Sequence, residues 1–98
     1  MKKEVLANQI SVRQLEEEIF AEEGVRVIIR APQGQLLTCG YKKVFERNLG
    51  DERELDLLFR RIRKIIGQDV QFVVINGYGL LVTNLNTPLM EIRDSYAE

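Results

Sequence analysis

At 98 residues the chain is the size of one domain, enough to bury a single modest core. Its 45% hydrophobic and 30% charged residues exclude a disordered chain, and a net charge of −1 with a pI near 5.6 excludes a global field that would gather nucleic acid or a membrane. The first residues hold no apolar run of signal-peptide length, and no stretch reaches the ~18–20 apolar residues that span a bilayer.

Residues 1–10 read as a frayed lead-in or a short edge strand. A helix begins at Ser11, where a serine N-cap is followed three residues later by Gln14 to complete a capping box, and Ile10 can staple against Leu15. Val12, Leu15, Ile19 and Phe20 make one apolar stripe. Glu16, Glu17, Glu18, Glu22 and Glu23 form an opposite, solvated face, and Gly24 supplies a left-handed stop.

Val25–Arg30 alternates as a strand does. Ala31-Pro32-Gln33-Gly34 then turns the chain, and Gln35–Cys39 returns as a second strand that can continue past a bulge at Gly40 into Tyr41–Phe45. Asp51, with Glu54 three residues on, caps a second helix. Its stripe is Leu55, Leu58, Phe59, Ile62, Ile65 and Ile66, with acids early and bases late as the helix dipole favours, and Gly67 ends it. Val70–Asn84 is the clearest hairpin: two strands joined by Asn76-Gly77-Tyr78-Gly79. Thr87 and Pro88 read as the N-cap and first-turn proline of a short C-terminal helix over Leu89–Asp94.

Val25–Thr38 aligns without gaps on Val70–Thr83, so the order is αββ-αββ, with units at 11–39 and 51–84. This is either a true duplication or the ordinary likeness of two glycine-turned hairpins. The expected fold is α+β: one domain, 1–98, a two-layer sandwich whose four-stranded, mainly antiparallel sheet carries two helices on one face, plus the short C-terminal helix. The covered face takes Val25, Val27, Ile29, Val70, Phe72 and Val74. The other carries Ile28, Val73 and Ile75 between Arg26 and Arg30, an apolar centre with a charged rim that calls for a cover: the chain's own ends, or another molecule.

Chemistry is sparse. The chain has no histidine, which removes histidine-based nucleophile systems, histidine metal sites and the usual near-neutral proton shuttle. Glu16, Glu17 and Glu18 point in successive 100° directions and do not converge on one atom. Cys39 has no neighbouring base or second thiol and reads as a buried structural cysteine. Being alone, it forms no internal disulfide, which fits a cytoplasmic location. Gly77-Tyr78-Gly79 joins strand to strand, so it lacks the helix N-terminus that a phosphate loop needs. No catalytic residue, metal or cofactor is therefore expected.

Two binding surfaces stand out. Arg26, Ile28, Arg30, Val73, Ile75 and the Tyr78 turn form a candidate partner or dimer interface. Arg60, Arg61, Arg63 and Lys64, with Lys42 and Lys43 nearby, form a candidate nucleic-acid contact, or a solvated helical face. The acidic first helix and the basic end of the second can attract each other within the monomer or set the register of an interface. In size and character the chain looks like the small non-enzymatic regulators and inhibitors that phages encode, anti-CRISPR proteins among them; the likeness rests on no shared motif and transfers no residues. The expected function is that of a non-enzymatic cytoplasmic protein-binding module, homodimeric or docked on a larger complex. Nucleic-acid binding is the alternative, and no membrane partner is expected.

Overall fold

Ser11 starts the first helix as its side chain dictates. Its hydroxyl accepts the Gln14 N–H at 3.1 Å, while the Gln14 side chain accepts the Ser11 N–H at 2.8 Å, closing the capping box. The computed structural model describes residues 10–31, 36–37 and 40–97. In chain order its elements are β1 (Ile10–Ser11), α1 (Val12–Glu23), β2 (Arg26–Arg30), β3 (Leu36–Leu37), α2 (Tyr41–Val44), α3 (Leu55–Ile66), β4 (Gln71–Ile75) and α4 (Leu89–Ser95). Gly24, at φ 69°, closes α1 in the left-handed conformation.

The fold is α+β, but the described residues do not form the expected four-stranded sheet. Among the described residues there are two separate antiparallel pairs, β1 with β3 and β2 with β4. Each expected hairpin fails for its own physical reason. On the outer edge of β2, the Glu16 carboxylate accepts the Ile29 N–H at 2.7 Å, a donor that a returning strand would have used. Leu36–Leu37 pairs instead with Ile10–Ser11. The expected turn at 32–35 and Cys39 lie outside the described residues.

The second hairpin turns where expected and then stops pairing. Asn76 Oδ1 accepts the Tyr78 and Leu80 N–H groups at 2.9 and 3.0 Å, Gly79 sits at φ 79°, and Ile75 bridges to Leu81. Beyond Val82 the backbone is drawn away to a helix end. The Leu85 and Thr87 carbonyls accept the first free N–H groups of α3, from Asp56 and Leu55, both at 2.9 Å. The exchange is mutual. The Arg53 and Asp51 carbonyls accept the Leu89 and Met90 N–H groups at the start of α4, at 2.8 and 3.1 Å. The two helices therefore cap each other through their lead-in segments, across a bridge between Glu54 and Pro88.

This arrangement displaces the expected side-chain caps. Glu54, rather than Asp51, occupies the N-cap of α3; Pro88 occupies the N-cap of α4, and the Thr87 hydroxyl bonds the Asn84 carbonyl at 2.7 Å instead. Tyr41–Val44 is a helical turn, not a continued strand, because the Tyr41 ring is fully buried and its N–H is held by Glu18.

The core gathers Leu15 and Ile19 of α1, Val27, Ile29, Phe72 and Val74 of the β2–β4 pair, Leu55, Leu58 and Ile62 of α3, and Leu89 and Ile92 of α4. Phe59 tilts against Phe72 with ring centroids 4.6 Å apart. Burying each such side chain stabilises by roughly 1.5–3 kcal/mol, against ~0–1 kcal/mol for an exposed ion pair. The apolar side chains therefore hold the helices to one face of the strands, and the described residues leave the other face open.

Candidate functional site

The open face follows from strand alternation and register. Val27 and Ile29 turn inward opposite Val74 and Phe72, so Arg26, Ile28 and Arg30 turn outward opposite Ile75, Val73 and Gln71. Ile28 is 40% exposed, Val73 and Ile75 are half-buried, and both arginines are exposed. The Ile75–Leu81 bridge adds Leu81, 58% exposed, to the same face, since directly opposed residues of an antiparallel pair share a side. Counting back across the Asn76–Gly79 turn could have found Leu81 in the sequence. Tyr78 stands 64% exposed at the tip beyond Ile75.

A hydroxyl ends the ladder. The Tyr96 phenol accepts the Arg26 N–H at 2.9 Å and donates to the Ile75 carbonyl, standing between two backbone groups that would otherwise bond each other. Burial pushes the Tyr96 phenol upward from its ordinary pKa, so it remains a donor. The Arg26 guanidinium lies over the Phe20 ring, 5.5 Å from its centroid. Among the described residues, neither Arg26 nor Arg30 forms an ion pair with a carboxylate.

The basic stretch of α3 is mostly engaged within the molecule. Arg60 pairs with Asp56 at 2.9 Å. Arg61 reaches Glu23 at 3.2 Å and the Arg47 carbonyl at 2.6 Å, with its guanidinium 4.5 Å from the Phe45 ring centroid. Arg63 lies over Phe72 at 4.7 Å and donates to the Gly67 carbonyl at 3.2 Å and to the Val70 carbonyl. Lys64 remains exposed, while Lys42 approaches Glu22 at 3.8 Å.

Sequence reading missed the densest polar cluster, centred on Glu23. This residue belongs to the acidic face of α1 by sequence, yet its carboxylate is fully buried. Oε2 accepts from the Tyr41 hydroxyl and from Arg61 Nη1; Oε1 accepts the Leu49 N–H at 2.9 Å and Arg93 Nη2 at 3.1 Å. Arg93 also donates to the Glu23 carbonyl at 2.7 Å, the Leu49 carbonyl at 2.8 Å and Asp51 Oδ1 at 2.6 Å. The signal was an acid in the last turn of a helix, where the dipole disfavours negative charge and no base follows within the helix. Such an acid needs cations from elsewhere, and α3 and α4 supply them.

Burial first, and then the Glu23 carboxylate, push the Tyr41 phenol well above its ordinary range, so it serves as a proton-bearing donor, not a nucleophile. No buried side-chain nitrogen or oxygen among the described residues lacks a partner. The cluster is thus a closed structural network that ties α1, α3, α4 and the 47–51 loop together. Among the described residues no group of three or more His, Cys, Asp or Glu side chains gathers to hold a metal, and no helix is long and apolar enough to cross a membrane. Comparison with protein-family models, with curated proteins and with solved structures found no match.

Proposed function

We propose that this protein is a non-enzymatic protein-binding module that acts by occupying a surface of a larger assembly, as a small regulator or inhibitor does. The observation that carries the reading is the open face of the β2–β4 pair: Ile28, Val73, Ile75 and Leu81 in one apolar field, flanked by Arg26 and Arg30 and extended by Tyr78 at the tip. Apolar side chains rimmed by arginine suit a protein interface, in which the centre loses water and the guanidiniums orient the partner. The lone cysteine supports a reducing compartment, and we place the module in the cytoplasm.

Nucleic-acid contact through α3 is the weaker reading. Arg61 and Arg63 are held by internal partners and Arg60 by its own helix, which leaves little free cation to meet a phosphate backbone.

The deciding experiment compares the wild-type chain with Val73→Asp, a change on the open face. Circular dichroism should show the variant folded, with a thermal midpoint close to wild type. Capture of a partner from native extract, or mass growth with concentration in light scattering, should be lost in the variant. Assembly that survives Val73→Asp unchanged refutes this placement of the interface.

A further inference from the structure

We infer that the occupant of the open face is an acidic partner protein, one that sets carboxylates over Arg26 and Arg30 and apolar side chains over Ile28 and Val73, and not a second copy of this chain. The inference rests on the reading of that face as a docking surface and specifies what docks there.

The charge pattern is the argument. Arg26 and Arg30 lie four residues apart on one side of β2, about 13 Å along the strand, and bracket Ile28. Arg13, Arg53, Arg60, Arg61 and Arg93 each meet a carboxylate at 4.0 Å or less. Among the described residues the two arginines of the open face do not, and neither do Arg47, which is exposed, and Arg63, which donates to the Gly67 and Val70 carbonyls. Arg26 and Arg30 are the two that flank Ile28. Docking an apolar surface onto Ile28 and Val73 would strip water from both guanidiniums, and a facing carboxylate, which guanidinium binds in a fork, offsets that loss.

A second copy docked face to face does not provide this. An isologous contact brings the same patch from both sides. The strand face itself contains Arg26, Arg30, Gln71 and aliphatic residues. The acids beside it, Glu16 and Glu17, lie on α1 at the β2 edge, where Glu16 is already held by the Ile29 N–H, so an isologous dimer would bring four arginines together at its centre. Phosphate offers the same fork to arginine, but the residues between the two cations are aliphatic. The rings lie at the ends of the face, Phe20 under Arg26 and Tyr78 at the turn. Ile28, Val73, Ile75 and Leu81 between them offer no surface on which successive bases stack, so an acidic protein fits better than a nucleic acid.

The test uses the 15N-labelled 98-residue protein and four titrations followed by amide chemical shifts: a short peptide of alternating valine and glutamate, its valine–lysine counterpart, a DNA duplex, and dilution of the protein itself. The glutamate peptide should move the resonances of Ile28, Val73 and Ile75, bind at least about tenfold more tightly than the lysine peptide, and weaken as salt is raised. The doubly reversed chain, Arg26→Glu with Arg30→Glu, should prefer the lysine peptide.

Equal response to both peptides overturns the inference. Shifts on dilution alone would assign the face to a second copy: the docking role would stand and the acidic partner would not. Shifts with DNA alone would replace both readings with nucleic-acid contact. If nothing moves these resonances, the docking surface itself falls.

Discussion

Substituting Glu23→Gln keeps the shape of the side chain and removes its charge, so it tests whether the cluster at the end of α1 stabilises the fold. The carboxylate has no exposed surface, while Arg61 and Arg93 keep 21% and 18% of theirs. Glutamine can accept on one side only. Its amide nitrogen must face either Tyr41 and Arg61 or Leu49 and Arg93, placing donor against donor. Breaking a buried charge pair from one side costs ~3–5 kcal/mol, and the partial exposure of both arginines lets water recover some of that, so the expected loss is about 2–4 kcal/mol. For a domain of this size that lowers the thermal midpoint by roughly 10–25 °C. Urea denaturation followed by far-ultraviolet circular dichroism reads the change directly, provided the slope m stays constant. A loss below ~1 kcal/mol would refute the reasoning and show that the cluster is hydrated.

Tyr41→Phe removes a donor from the same carboxylate and should cost ~1–2 kcal/mol at neutral pH. It should also flatten the alkaline limb of the stability curve. A phenol whose folded pKa lies above its unfolded value of 10.0 stabilises fully below that pH and loses the contribution as pH rises beyond it; a variant as alkali-sensitive as wild type would contradict this origin. Gly77→Ala and Gly79→Ala separate two reasons for glycine. A Cβ at Gly77 would strike the Ser95 carbonyl at the end of α4, an overpacking cost of ~1–3 kcal/mol that should also loosen α4 in hydrogen exchange. At Gly79 a Cβ meets no atom within 4 Å, and the cost is the φ of 79° alone, about 1 kcal/mol and confined to the turn. Protection of α4 that is the same in both variants would sink the distinction.

Local chemistry determined much of this protein. The Ser11–Gln14 capping box, the stops at Gly24 and Gly67, the Asn76–Gly79 turn and the alternation of β2 and β4 depend on residues within a few positions of one another, so each is legible in the sequence. The same alternation predicted which side of the strands carries Ile28, Val73 and Ile75. Tertiary structure decided which strand pairs with which, and what the charges do. Segments 36–37 and 80–82 are good strand formers, but a strand's partner depends on which donors and acceptors remain free. Glu16 occupies the edge of β2, and the end of α3 claims the carbonyls of Leu85 and Thr87. Likewise, an acid on a helix reads as solvated until other elements bring cations to it. Glu23 is buried because Arg61 and Arg93, distant in sequence, converge on it, while among the described residues no carboxylate comes within ion-pair distance of Arg26 or Arg30, the neighbouring Glu16 being held by the Ile29 N–H.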